Sequence, residues 1–320
     1  MICGKRLEPF YGNAAADYTR VLLSDGNEIK DYSLFSNLAK QGLLGFSSTK
    51  TFTSEKREGN PDPRFAWIEK DVQGIQSMGL PNVGIYNYPF EKCTVPTIVS
   101  YTGKNKEETK AMTRHVDEKA KKNPNIFAAE FNLTCPNVSG CPSCYVRNDI
   151  EHLKTVRENT DLPVIAKIGY FPEGDRLIEF GREAENMGIN GIVAINSPPG
   201  MGINIETGRS VVSKYGGVFG KGLKPLSLRT VNILHENTNL DLIGLGGVYK
   251  YSDVVEFLLA GAKAVEISSR FLSAASDACS EKDVIHSWKQ LLGEFRSDTE
   301  NFMERKGFES LEEIIGKLER

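Results

Sequence analysis

Several things are scarce in this 320-residue chain, and each scarcity excludes something. Six cysteines (Cys3, Cys93, Cys135, Cys141, Cys144 and Cys279) are too few for a disulfide scaffold at this length, which points to a reducing, cytoplasmic setting where thiols stay free. The four histidines, His115, His152, His235 and His286, show no paired ligand spacing, so no metal site is expected. Lys and Arg number 39 against 42 Asp and Glu, and no polybasic stretch forms the field that nucleic acid or anionic lipid needs. No apolar run approaches the roughly 20 residues that cross a bilayer, and the opening MICGKRLEPFYGNAAADYTR lacks the apolar core of a secretory signal. No Pro/Gly/Ser-rich linker divides the chain, so one domain over 1–320 is expected. What remains is an ordinary soluble composition, long enough for a substantial core and suited to a small-molecule partner.

What is present is alternation. Eight short apolar or β-branched runs alternate with amphipathic stretches: PFYGNAAA (9–16), LLGFSSTKT (43–51), TIVSYTG (97–103), IFAAEFNLT (126–134), VIAKIGY (164–170), GIVAINS (191–197), DLIGLGG (241–247) and AVEISS (264–269). Between them, DIEHLKTVRENT (149–160), DRLIEFGREAENMG (175–188) and YSDVVEFLLAGA (251–262) space apolar residues three and four apart, as helices covering a sheet do. The pattern predicts an α/β fold, a (β/α)8 TIM barrel with active-site loops inserted at 50–67, 75–88 and after the fourth strand. The charged run KNKEETKAMTRHVDEKAKK (104–122) reads as a solvated helix face, and IYNYPF (85–90) as core or subunit contact.

In such a barrel the polar residues closing the strands share one mouth. Lys50 closes the second strand, Asn132 and Cys135 the fourth, Lys167 the fifth, and Asn196 with Ser197 the sixth. Two cations, three amides counting Asn137, and one thiol make a set that can read a polar ring and move a proton. The glycine and hydroxyl turns GVFGKGLKP (217–225), GLGGV (244–248) and ISSRF (267–271) suit a phosphate, which favours a phosphorylated cofactor, although Gly-Gly turns also do no more than close a βα junction. The segment FNLTCPNVSGCPSC (131–144) is open to three readings: a metal knuckle, a redox pair, or a loop with one catalytic thiol at Cys135. Cys141 and Cys144 could serve zinc or a disulfide; incidental loop cysteines are the preferred reading.

EKREGNPDPR (55–64), SMGLPN (77–82), FNLTCPNVSG (131–140), AINS (194–197), GLGGV (244–248) and the tail FMERKGFESLEEIIGKL (302–318) resemble the dihydroorotate dehydrogenases, nearest to the short soluble class 1A enzymes that use a cysteine base. The resemblance implies an FMN-dependent oxidation of dihydroorotate to orotate in pyrimidine biosynthesis, with Cys135 removing the C5 proton while a hydride leaves C6 for flavin N5. It further implies Lys50 between flavin and substrate, Asn132, Asn137, Asn196 and Ser197 on the pyrimidine, and Gln76 with the backbone of Met78, Gly79 and Leu80 at the carboxylate. Ala14, Ala15, Thr51 and Asn132 would meet the isoalloxazine, Lys167 its N1–C2=O end, and Gly220, Gly246, Gly247, Ser268 and Ser269 the phosphate. A soluble acceptor such as fumarate and a homodimer complete what is implied. The chain departs from the pattern at Gln76, usually Asn, at PPGMG (198–202), at Phe219 and at Ser268. These departures bear on substrate identity and favour, as the alternative, a related flavoenzyme for another dihydropyrimidine or cyclic imide.

Overall fold

Each of the eight apolar runs contains one strand of a closed parallel barrel. The strands are β1 (Tyr11–Asn13), β2 (Phe46–Ser48), β3 (Thr97–Tyr101), β4 (Ile126–Asn132), β5 (Val164–Ile168), β6 (Gly191–Ala194), β7 (Asp241–Leu245) and β8 (Ala264–Ile267), and they neighbour one another in chain order. This computed structural model describes residues 1–15, 34–70, 72–134, 148–213, 215–276 and 278–319. Helices α1 (Leu34–Lys40), α2 (Lys106–Lys122), α3 (Asn148–Arg157), α4 (Gly174–Asn186), α5 (Lys224–Asn237), α6 (Tyr251–Leu259), α7 (Ser269–Ala274) and α8 (Glu281–Lys306) surround the barrel. No helix among the described residues is long and apolar enough to cross a membrane.

The two-residue period of a strand sorts the barrel interior into layers. Phe46, Ile98, Ala128, Ile165, Val193, Ile243 and Ala264 form an apolar floor. Two residues further along the same strands stand Ser48, Ser100, Glu130, Lys167, Leu245 and Glu266, so the next layer is largely polar, though buried. The intervening residues, among them Val99, Tyr101, Ala129, Phe131, Ala166, Ile192, Leu242 and Val265, belong to a separate cluster under the helices. The charged run at 104–122 is α2, solvated outside and burying Thr109, Met112, Thr113 and Val116. The Asn105 side chain caps it by accepting from the Glu108 N–H at 2.8 Å, with acids in the first turn and lysines in the last, as the helix dipole favours. Within IYNYPF, Ile85, Tyr88 and Phe90 are buried core.

A second sheet joins the inserted segment after β2 to the segment that follows β6, where no insertion was expected. Phe65–Glu69, Gln73–Gln76, Gly216–Gly220 and Pro199–Gly200 form four antiparallel strands in that order, so PPGMG and GVFGKGLKP each contribute a strand where turns were expected. Phe219 pairs across the sheet with Gly74, where any side chain would strike its ring at 2.2 Å. The ring stacks on Phe65 at 5.0 Å and meets the edge of Trp67 at the same distance. That packing accounts for the aromatic residue at 219, since neighbouring rings prefer such offset and edge-on arrangements.

Phe46 carries the polar layer's floor and is wholly buried. Phe46→Ala is expected to lower unfolding stability by about 3–5 kcal/mol, measured by urea denaturation; a loss below about 1 kcal/mol would mean that the floor collapses to fill the space.

Candidate active site

The strand C-termini and the antiparallel sheet enclose a cavity of about 760 Å³, within the usual range for small-molecule sites. The turns after β1 and β2 bring Ala14, Ala15, Lys50 and Thr51 to its wall; Lys50 lies two residues past the end of β2. Asn132, Lys167, Asn196, Ser197, Gly220, Gly246, Gly247, Ser268 and Ser269 line it as well, joined by Gln76, Met78 and Leu80 from the inserted segment. Gly79 does not line the cavity: its α-carbon faces Asn60, whose Oδ1 lies 2.5 Å from where a side chain would begin. Cys135, Asn137, Cys141 and Cys144 lie outside the described residues. Among the described residues no cluster of His, Cys, Asp or Glu could hold a metal ion.

Lys167 stands at the bottom of this cavity with only 3% of its side chain exposed. Its ammonium lies 3.3 Å from Glu266 and 3.8 Å from Glu130, both wholly buried. Ser48 Oγ donates to Glu266 at 2.7 Å and Ser100 Oγ to Glu130 at 2.5 Å. Burial alone would lower the Lys167 pKa, but the two carboxylates outweigh it and hold the lysine above its ordinary range, so it is a cation at neutral pH. Burial pushes Glu130 up to about 7; Lys167 opposes the rise, Glu266 adds to it, and the Ser100 hydrogen bond opposes it.

From Glu130 a chain of hydrogen bonds climbs to the mouth, and its direction follows while Glu130 Oε1 accepts from Ser100. Ser100 has one hydroxyl hydrogen and gives it to Glu130, so at 2.9 Å it accepts from Thr51 Oγ1. Thr51 in turn accepts from Asn132 Nδ2 at 3.2 Å, and Asn132 Oδ1 accepts from Asn196 Nδ2 at 3.1 Å. Every donor therefore points down toward the buried carboxylate, which orients both amides that the strand ends present. Asn196 Nδ2 also donates to the Thr134 carbonyl, pinning the last described residue before Cys135.

The SMGLPN turn is built to expose N–H groups. Asn60 Nδ2 donates to the Ser77 carbonyl at 2.8 Å and Asn60 N–H to that of Met78 at 2.9 Å; Arg57 Nε donates to Gly79 O at 3.1 Å and Asn82 Nδ2 to Leu80 O at 2.8 Å. In a trans peptide the next N–H points opposite to the carbonyl, so the N–H groups of Met78, Gly79 and Leu80 turn away from this anchoring side. The Met78 N–H donates to Gln76 Oε1 at 3.0 Å. Gln76 thus closes the turn, and Gly79 and Leu80 (φ +72° and +55°) adopt the left-handed backbone from which anion-binding concavities are made. At the other end of the cavity, Gly220, Gly246 and Gly247 hold positive φ beside the Ser268 and Ser269 hydroxyls, a donor set suited to a phosphate.

Sequence reasoning missed Glu130 and Glu266. Each is a lone acid inside an otherwise apolar strand, AAEF and AVEI, and that was the available signal.

Fold and cavity define a barrel enzyme whose mouth suits a phosphorylated planar cofactor, with backbone and hydroxyl donors at one end and a buried cation with amides at the other. Comparison with known proteins places it further: the model of the family described as dihydroorotate dehydrogenase matches residues 22–291. A relative from Thermococcus kodakarensis is 34% identical over 279 residues, 84% of each chain, and one from Caldicellulosiruptor bescii is 30% identical over 303 residues, 90% of this chain and 91% of that one. Both are named dihydroorotate dehydrogenase B (NAD(+)), catalytic subunit. A ligand-free DHODH structure from Eimeria tenella shares the fold with a TM-score of 0.73 at 18% identity, covering 99% of this chain and 90% of that one. The chain belongs to the dihydroorotate dehydrogenase family, whose members are FMN-dependent oxidoreductases acting on a CH–CH bond. These relatives carry the B name, so the class 1A assignment suggested by the motifs finds no support from them.

Removing one member of a buried charge group leaves the others uncompensated. Lys167→Met is expected to cost about 3–5 kcal/mol of stability, part of it restored when Glu130→Gln is added, as read from urea midpoints of both variants. Glu130 holds its proton up to about pH 7 in the folded chain against an ordinary value of 4.5, so between these values the folded state binds more protons than the unfolded one. Its contribution to stability therefore falls as pH rises through that window, and Glu130→Gln is expected to remove that component of the pH profile.

Proposed function

We propose that the protein, as one domain spanning 1–320, oxidises dihydroorotate to orotate with bound FMN. The observation that carries this reading is Lys167, a buried cation forming the cavity floor beneath the Asn132 and Asn196 amides, in a chain of the dihydroorotate dehydrogenase family. The donor set fits the cofactor, which when bound supplies the two-electron acceptor for the substrate hydride. Gly220, Gly246, Gly247, Ser268 and Ser269 would hold its phosphate, Ala14, Ala15 and Thr51 would flank the ring, and Lys167 would supply positive charge to stabilise the reduced flavin.

Asn132, Asn196 and Ser197 orient the substrate ring, with Asn137 assigned the same task by the family resemblance; the Gln76–Leu80 turn takes the carboxylate at Leu80, the residue of the turn whose N–H Gln76 leaves open on the cavity, and Lys50 lies between substrate and cofactor. Cys135 removes the C5 proton. An ordinary thiol pKa of about 8.5 makes a workable base near neutrality. The FNLTCPN motif supports this assignment, as does the anchoring of Thr134, the residue before Cys135, by Asn196.

Two acceptors draw on different observations. The resemblance to the class 1A enzymes implies fumarate and a homodimer; the relatives' names carry NAD(+) and the words catalytic subunit, and we favour NAD+ reached through a partner subunit. The second substrate reading, another dihydropyrimidine or cyclic imide, draws on Gln76, whose Oε1 occupies the Met78 N–H and so removes one donor from the carboxylate turn.

Purified protein is expected to be yellow and to lose that colour on anaerobic addition of dihydroorotate. Bleaching only by a different dihydropyrimidine would establish the second reading, and colourless protein that takes up no FMN would refute both. Cys135→Ala is expected to slow flavin reduction at least about a hundredfold while leaving FMN bound, and an unchanged rate would end the base assignment. Reoxidation by fumarate with the isolated chain, or by NAD+ only once a partner fraction is added, separates the two acceptors.

A further inference from the structure

The chemistry above uses Lys167 and leaves Glu130 without a task, although the lysine and the amide chain both end on it. Glu130 does not line the cavity; it lies beneath Lys167, and its Oε2 has no hydrogen-bond partner among the described residues. A buried carboxylate with an unpartnered oxygen is costly, and a glutamine or an apolar residue would avoid that cost. The charged groups facing Glu130 are Lys167 from β5 and Glu266 from β8, and its polar contact is Ser100 from β3. With all three ionised, Glu130, Lys167 and Glu266 carry one net negative charge; with a proton on Glu130 they carry none.

We propose that Glu130 is a positioning residue whose charge, acting through Lys167, sets the reduction potential of the flavin above it and links that potential to pH. The inference rests on the reading of the cavity as an FMN site. When Glu130 is ionised, two carboxylates absorb the field of one ammonium, and little of it reaches the cavity. When Glu130 is neutral, Lys167 answers only to Glu266 and presents more positive charge upward, which favours the reduced and more negative flavin. Burial brings the proton affinity of Glu130 to about 7, so both states are accessible near neutrality. Atoms and electrons balance simply: the two electrons arrive with the substrate hydride, and the proton that Glu130 gains on reduction comes from solvent and returns there on reoxidation. Glu130 forms no bond to the substrate.

The test is a spectroelectrochemical titration of FMN-loaded wild type and Glu130→Gln between about pH 6 and about pH 9. At the alkaline end the variant is expected to favour reduced flavin at least about tenfold more than wild type, an upward shift of about 30 mV for a two-electron couple, with the gap closing toward acid pH. Equal potentials and equal slopes across the range, or a lower potential in the variant, would overturn the inference. Ser100→Ala keeps the charge but removes the donor that stabilises it, so the inflection in wild-type potential against pH is expected to move upward; an unmoved inflection overturns the inference even if Glu130→Gln fails to fold. FMN content measured on the same wild-type sample separates this from the underlying reading, because wild type that binds no FMN defeats the flavin site itself.

Discussion

One buried lysine between two buried carboxylates organises this molecule. The ammonium of Lys167 lies 3.3 Å from Glu266 and 3.8 Å from Glu130, and these two carboxylates offset the cost of burying its charge. Because the three stand on β4, β5 and β8, their pairing crosses the barrel and ties non-adjacent strands together. The serines of the same layer, Ser48 and Ser100, each donate to one carboxylate oxygen of Glu266 and Glu130, and the apolar floor lies below them. The site above inherits its electrostatics from this layer: a cation pressed upward into the cavity and a hydrogen-bond chain polarised downward from Asn196 to Glu130.

The cavity is accordingly two-ended. One end is made of backbone turns and serine hydroxyls, which suit a phosphate; the other is made of Lys167 and two oriented amides, which suit a planar ring with alternating donors and acceptors. The turn from Gln76 to Leu80 supplies a third element, with its carbonyls fastened to Arg57, Asn60 and Asn82 so that its N–H groups face the other way. The strain of a left-handed Leu80 is held by those bonds and by the absence of a side chain at Gly79.

The barrel was legible because each strand is a local event: a short β-branched run between helical stretches marks itself without reference to its partners, and all eight did so. Lys167, Asn132 and Asn196 were legible because a polar residue ending such a run must face the mouth. Glu130 and Glu266 escaped the same rule because they sit one layer deeper, where a polar residue is not expected and only the surrounding apolar residues betray it. The antiparallel sheet escaped for a different reason: Ile75 pairs with Val218, far away along the chain, and no local pattern announces a partner so distant. Phe219, a departure from the family pattern, is explained by Gly74, whose missing side chain leaves room for its ring across the sheet.

A crystal structure of the FMN complex tests most directly whether the flavin lies over Lys167. The pyrimidine end of the ring is expected within hydrogen-bond distance of Lys167 Nζ, about 3 Å, with the phosphate among Gly220, Gly246, Gly247, Ser268 and Ser269. A ring bound elsewhere, with Lys167 still engaged only by Glu130 and Glu266, would contradict this placement.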